Sequence, residues 1–453
     1  MIRLLSLLLV LSIAPALRAQ RIVTLEEALN WALTNHPVAD VADAVEARGA
    51  AVLLQSQGAF DPKIAGAYDR KQYLGTEYFN YGSAGVEWQS PYAVKVSAGY
   101  EFADGTYLND ERFLSGGDQT YLAVKLPLLQ GLITDAARID RRRGDVAVER
   151  QRALANVIRN ELRYDLALRY AEWRYATRAL AINEETETLL ATYLNNTREL
   201  FELGDKPAVD TLEASIYLGT QRLATRQARV DARLAKLAFS ELYWPLEEAD
   251  QPAALSTETL LPPVVAPWQD RQPELLELQL AITDFQLQQR LKREKLKPKL
   301  DVSYYLLGNG LELPAGGDEF GGPFDRAYKV GASASYPIFN RSARGEVEEG
   351  RLKIVESEAK LEGKLQSISV KANAYEEAFA AYVGQLNEAE VLARQSEQLL
   401  TAEQTLFQLG ESTQFLLNVR QQNLQKARLV REKLVFSRDK AAVTWRWITA
   451  NWQ

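Results

Sequence analysis

The residue types that carry most enzyme chemistry are nearly missing from this chain. It holds one histidine, His36, and no cysteine. A soft-metal centre needs several thiolate or imidazole ligands, and a Cys–His nucleophile needs both partners, so neither can be built. Carboxylates are plentiful, and neighbours such as Glu184-Glu185 and Glu348-Glu349 have the types that share acid–base work. On segments this charged they read instead as solvated helix faces. The run Arg141-Arg142-Arg143 could hold lipid phosphates or pair with Asp140 and Asp145, and the local pairing is the simpler reading. His36 is expected to cap or pack beside Pro37. The closing WRWITANW (445–452) offers Trp445, Trp447 and Trp452 as packing or interface anchors. No nucleophile–base set, metal set or cofactor cradle emerges, so the residues point away from an enzyme and imply no cofactor.

What the sequence does carry is punctuation. FELGDKP (201–207) returns as FQLGEST (407–413), and each closes a long run rich in Ala, Leu, Arg and Glu. The first run, 132–203, has no proline and one glycine, Gly144; its twin is 342–409. Good helix formers over such a length predict helices of roughly 100 Å at 1.5 Å per residue. Gly204 and Gly410 suit the left-handed position just past a helix end. Pro207 then suits the first turn of a return helix, and Ser412 or Thr413 can cap the other. Each quoted stretch is therefore expected to be the tip of an antiparallel helical hairpin. The return helices, 208–244 and 414–450, repeat apolar residues every seven: Ile216, Leu223, Val230 and Leu237, then Leu429, Phe436 and Val443. That is a coiled-coil period. The return helices cover half of each long run, and the helices 25–58 and 273–297 supply the missing length.

The same landmarks recur in order. Pro37 and Pro62 are 25 apart, as are Pro273 and Pro298; Gly144 and Gly204 are 60 apart, as are Gly350 and Gly410. An internal duplication is expected. The first repeat is 20–244, with strands within 62–127, a long hairpin at 132–244 and its tip at 204–207. A linker or equatorial segment at 245–268 follows. The second repeat is 269–453, with strands within 298–337, a hairpin at 342–450 and its tip at 410–413. Residues 1–19 have a positive start, an apolar core and small residues at the end, the pattern of a secretory signal peptide. Removing them takes away Arg3 and Arg18 and moves the net charge from −7 to −9. An acidic chain disfavours nucleic acid as a partner.

Between the helices lie runs that alternate. In 93–102, Val94, Val96, Ala98, Tyr100 and Phe102 share one face, and Lys95, Ser97 and Glu101 the other. The same period marks Leu122, Val124 and Leu126 in 120–126, Leu300 to Leu306 in 299–307, and Val330, Ala332, Ala334 and Tyr336 in 329–336. Each run is about nine residues, the length of a tilted strand crossing a bilayer. No apolar run after residue 19 approaches the ~18 residues of a spanning helix, so any passage through a membrane must be made by strands. An antiparallel sheet on a soluble core is the competing reading. Four to six strands are too few to close a barrel alone, and open edges cannot face lipid. Several chains must then share one barrel.

The order and spacing of these features resemble the TolC-like outer-membrane efflux family over nearly the whole mature chain. VTLEEALNWALTNHP (23–37), the paired FDPKIAG and LKPKLDVS, LPLLQG with YPIFN, and the FELG and FQLG turns carry the resemblance. It implies a mainly α protein with a membrane β-barrel sector: a homotrimeric α/β-barrel channel, twelve-stranded in the lipid of a Gram-negative outer membrane. Coiled-coil helices would form a periplasmic tunnel, with an equatorial belt drawn from 245–268 and the C-terminal end. The implied function is a passive exit duct of a tripartite efflux pump or type I secretion system. Its partners would be a periplasmic adaptor and an inner-membrane transporter. The extra length around Ser90-Pro91 departs from the pattern, and either extends outside the cell or adds strands. The resemblance further implies adaptor docking at the tips Gly204, Asp205, Gly410 and Glu411. It places the tunnel constriction six and nine residues past the second-repeat tip glycine, at Leu416 and Val419 here, where the first repeat has Asp210 and Glu213. Leu416 and Val419 are then either an apolar constriction that closes by dewetting, or coiled-coil packing. The alternative function is a periplasmic adaptor or structural coiled coil, against which two hairpins and barrel-like strands argue.

Overall fold

A computed structural model describes residues 21–108, 114, 116–253, 268–311 and 327–452. The expected signal peptide, and residues 254–267 of the expected equatorial segment, lie outside these residues. The chain is mainly helical and divides into two compact units, each assembled from separated stretches of sequence.

One unit takes residues 43–155 and 273–364 and contains the sheet. Six strands run β1 (Lys63–Tyr73), β2 (Thr76–Gln89), β3 (Lys95–Asp104), β4 (Asp118–Pro127), β5 (Lys299–Leu307) and β6 (Tyr328–Ser335). They lie side by side in chain order, and every neighbouring pair is antiparallel. β1 and β6 are the two edges. The turn between β2 and β3 falls at Ser90-Pro91, the extra segment of the sequence reading, so that hairpin is part of the sheet. The last strand stops at Ser335, leaving Tyr336 beyond it.

Helical stretches enter and leave this unit. The helix α2 (Pro37–Gln57) is separated from α1 (Leu25–Asn35) at His36. A single helix over 25–58 was expected; Pro37 lacks the N–H that would continue α1, and His36 adopts extended backbone as its C-cap. The first 20 residues of α3 (Ala136–Glu202) approach α2 closely enough that a Cβ on Gly144 would strike Ser56. Gly350, in the early part of α6 (Arg341–Gln408), likewise meets Gln289 of α5 (Pro273–Glu294). Two of the four landmark glycines, Gly144 and Gly350, are thus sites of close helix approach.

The other unit takes 21–42, 156–253, 268–272 and 365–452 among the described residues. Here the later parts of α3 and α6 meet the return helices α4 (Ala208–Ser240) and α7 (Gln414–Thr449). Its largest core gathers Val23, Ala28, Ala32, Leu162, Leu166, Tyr170, Trp173, Phe239 and Tyr243. Trp173 stacks on Phe239 at 5.1 Å. The Tyr170 hydroxyl donates to the carbonyls of Val23 (2.8 Å) and Ala253 (3.2 Å), and burial pushes its pKa up to about 12. Those carbonyls flank a short parallel bridge of Ile22–Val23 with Gln251–Pro252. A second core joins Leu190, Tyr193 and Leu194 of α3 to Ala214 and Leu218 of α4.

The heptad stripe behaves differently from its simplest reading. Ile216, Leu223, Val230 and Leu237 do not face α3; they are 51–67% exposed. α4 packs within the chain through Ala214, Leu218, Gln221, Thr225 and Phe239 instead.

Candidate functional site

The sheet has two chemically distinct faces. Register places Ile64 beside Val86, Val86 beside Ala98, Ala98 beside Leu122, Leu122 beside Leu306 and Leu306 beside Tyr328. Along the strands the same face adds Tyr68, Trp88, Val96, Tyr100, Phe102, Val124, Tyr304 and Val330. The other face carries Lys63, Asp69, Glu87, Lys95, Ser97, Glu101, Gln119, Lys125, Asp301, Ser303, Lys329 and Ser333. Among these, Lys125 and Asp301 form an ion pair at 3.3 Å. Among the described residues no helix covers the apolar face: Ile64 is 89% exposed and Val330 52%. A soluble sheet would bury such a face, because leaving Val, Ile or Leu in water forfeits about 1.5–3 kcal/mol per side chain. Aromatics meet across strands on this face, with Tyr68 against Phe102 at 6.4 Å and Tyr304 against Tyr328 at 6.3 Å.

The two tips share one geometry. Gly204 has φ +84° and Gly410 φ +81°. The Gly204 N–H donates to Phe201 O and the Asp205 N–H to Leu200 O; Gly410 and Glu411 donate to Phe407 O and Leu406 O in the same way. These are two Schellman closures, which satisfy the last carbonyls of α3 and α6. Each tip exposes an acid and the leucine before its glycine, Leu203 at 75% and Leu409 at 68%. Pro207 is the N-cap of α4 rather than its first residue, and Thr413 caps α7, its hydroxyl accepting from Leu416 N.

Beyond the tips, Leu416 is exposed, Val419 is half-buried, and Asn418 between them is buried. Asp210 sits in the first turn of α4, 4.0 Å from Lys206. Sequence reasoning missed the group that ties the second tip together. Glu403 of α6 accepts from the Ser412 hydroxyl and from the Arg420 guanidinium of α7 (3.3 Å). The Ser412 bond, then Arg420, holds the Glu403 carboxyl below the usual range. The spacing Ser412-(x7)-Arg420 beside an acid gives no signal without the hairpin register.

It also missed a buried polar layer. Gln221 donates to the Asn183 side chain at 3.0 Å, and Gln425 bridges Asn183 (3.1 Å) and Gln221 (3.0 Å). This locks α3, α4 and α7 in one register, because any slip strands buried amides. The remaining candidates settle into structure. His36 accepts from Val38 N and packs on Trp244. Glu184 pairs with Arg229, Glu185 with Arg428, Glu348 with Arg351 and Glu349 with Lys292. Arg141 pairs with Asp145, while Arg143 reaches both Asp140 and the distant Asp284 (2.6 Å). Trp445 is buried, Trp447 stacks on Tyr164 and Trp452 donates to Asn160.

No protein-family model matches the chain, and no curated protein does. Solved structures do. The CmeC outer-membrane channel of Campylobacter jejuni superposes with TM-score 0.64 at 14% identity, over 94% of this chain and 86% of that one. The outer-membrane protein VceC of Vibrio cholerae gives 0.66 at 14%, over 95% and 97%. The open state of the MtrE outer-membrane channel of Neisseria gonorrhoeae gives 0.64 at 14%, over 95% and 89%. At such identities the likeness is one of fold, and it spans nearly the full length of both partners. This chain has the fold of bacterial outer-membrane channels.

Proposed function

We propose that this chain is the outer-membrane exit duct of a tripartite efflux pump or type I secretion system in a Gram-negative bacterium. Three copies share one barrel and continue it as a periplasmic helical tunnel. The observation that carries this reading is the uncovered apolar face spanning all six strands of a sheet whose two edges are open. Lipid covers such a face, and only closure with further copies satisfies such edges. The exposed stripe on α4 supports self-assembly independently. Two repeats are supported by the order helix, strands, long helix, return helix, which occurs twice. The twin tips, with Gly204, Asp205, Gly410 and Glu411, dock on a periplasmic adaptor that links to an inner-membrane transporter. Leu416 and Val419 form an apolar constriction beyond them, with Asp210 contributed by the first repeat. Passage through the duct is passive.

Cell fractionation tests the reading. Detergent-extracted trimers from the outer membrane, resistant to dodecyl sulfate until heated, are expected. A soluble periplasmic monomer would remove the channel and favour an adaptor or structural coiled coil.

A further inference from the structure

We propose that all six strands of each copy lie in the barrel wall, so that the trimer closes eighteen strands, with β6 of one copy antiparallel to β1 of the next and Asp69 opposite Lys329. This rests on the trimeric channel reading and replaces the twelve strands expected from resemblance.

Four observations on the sheet support it. The apolar face crosses β2 and β3 without interruption, through Val86, Trp88, Val96, Ala98, Tyr100 and Phe102. A hairpin standing in water outside the wall would have no use for that face. Removing β2 and β3 would also require β1 to pair with β4, yet both are already laddered, to β2 and β3 respectively.

The edges match. An even number of antiparallel strands makes β1 and β6 run in opposite directions, so one repeated contact closes the ring without a parallel pair. With Lys63, the first residue of β1, opposite Ser335, the last of β6, the faces stay in phase: Ile64 meets Ala334 and Tyr68 meets Val330 on the apolar side. The same register sets Asp69 against Lys329 on the polar side. Asp69 has no ion-pair partner among the described residues, and Lys329 lies over the Tyr305 ring.

The slant fits closure as well. One hydrogen-bonded row runs Lys63, Glu87, Ser97, Ala123, Tyr305, Lys329, and so ends six residues above the foot of β6. In the proposed register that six-residue offset accrues over the six strand spacings from one β1 to the next, which at ~3.3 Å per residue and ~4.8 Å between strands corresponds to a tilt of about 35°. Closed barrels tilt their strands by roughly 35–45°. Diameter grows about linearly with strand number, so this wall is about half again as wide as a twelve-stranded one.

The cysteine-free chain allows a direct test. Single variants Val86→Cys, Ala98→Cys, Leu122→Cys and Val302→Cys are labelled with a small fluorophore and reconstituted as trimers in phosphatidylcholine vesicles containing nitroxide lipid. All four should be quenched at least twofold by the lipid, whereas Ser83→Cys and Ser97→Cys should respond to aqueous iodide. Quenching at 122 and 302 without quenching at 86 and 98 overturns the eighteen-stranded wall and leaves the channel standing. No lipid quenching at any of the four overturns the channel reading itself. The pair Ala65→Cys/Ser333→Cys should form a disulfide between subunits; a well-formed trimer that stays uncrosslinked under oxidant overturns the edge register. Electron cryo-microscopy of the unmutated trimer counts strands directly, and twelve would end the proposal.

Discussion

Asp439 is fully buried and accepts hydrogen bonds from two guanidiniums that are themselves buried, Arg174 of α3 and its neighbour Arg438. The cluster ties α7 to α3. Removing one member of a buried charge set leaves the others desolvated without a partner, which typically costs about 3–5 kcal/mol. Asp439→Asn should therefore destabilise the detergent-solubilised protein by about that amount in denaturant unfolding, while replacing all three residues by apolar ones of similar volume should cost far less. A single Asn variant within ~0.5 kcal/mol of the parent would mean that water reaches the cluster. Glu403 gives a pH signature. Its carboxyl is held low by Ser412 and Arg420 in the folded state, so its contribution is present above the unfolded value and lost as pH falls through the folded one. Protection of the amides at 409–416, taken relative to the intrinsic exchange rate at each pH, should fall in acid, below the usual carboxylate range. In Glu403→Gln that protection should be low already at neutral pH and flat across the acid range.

At the level of elements, the constriction can be decided by replacing Leu416 and Val419 together with serine. A dewetted ring becomes wettable, and single-channel conductance of the trimer in planar bilayers should rise severalfold. Unchanged conductance would assign both residues to helix packing. Because Asp210 already lies near Lys206, block by multivalent cations should be weak in the parent. The helices themselves were legible because glycine and proline mark their ends: the run expected at 132–203 is Ala136–Glu202, and that at 342–409 is Arg341–Gln408. Strands with strict alternation were equally plain: the run expected at 93–102 is Lys95–Asp104, with Val94 just before it, and that at 299–307 is Lys299–Leu307. β1 and β2 were not, because Gly66, Gly82, Ala84 and Gly85 dilute the period that Ile64, Val86 and Trp88 carry. Partners that meet only through the fold escaped altogether. Nothing near Arg143 points to Asp284, 141 positions away, and Glu403 shows its role only once α7 lies beside α6. The period of seven on α4 was legible, but its own hairpin does not use it as the coiled-coil seam expected of it.

That unused surface bears on the molecule as a whole. Val209, Leu212, Ile216, Leu223, Val230, Leu234 and Leu237 line one side of α4 at heptad positions, all more than half exposed. Burying the remaining half of such side chains contributes on the order of 1 kcal/mol each, so the stripe offers several kcal/mol to a neighbouring copy. The hairpin core does not draw on it: Leu190, Tyr193, Leu194, Ala214 and Leu218 pack on the other side. Ile216→Asn combined with Leu223→Asn should therefore leave the helical content by circular dichroism unchanged and lower trimer stability. The dodecyl-sulfate-resistant band should vanish, or dissociate at a temperature at least 10 °C lower, in heated gels. The matched pair Ala214→Asn and Leu218→Asn, set in the core, should instead lose helical content before any effect on assembly can be read. If the stripe variant keeps a trimer as heat-resistant as the parent, these residues face the tunnel water or the periplasm. Assembly would then rest on the closed sheet alone.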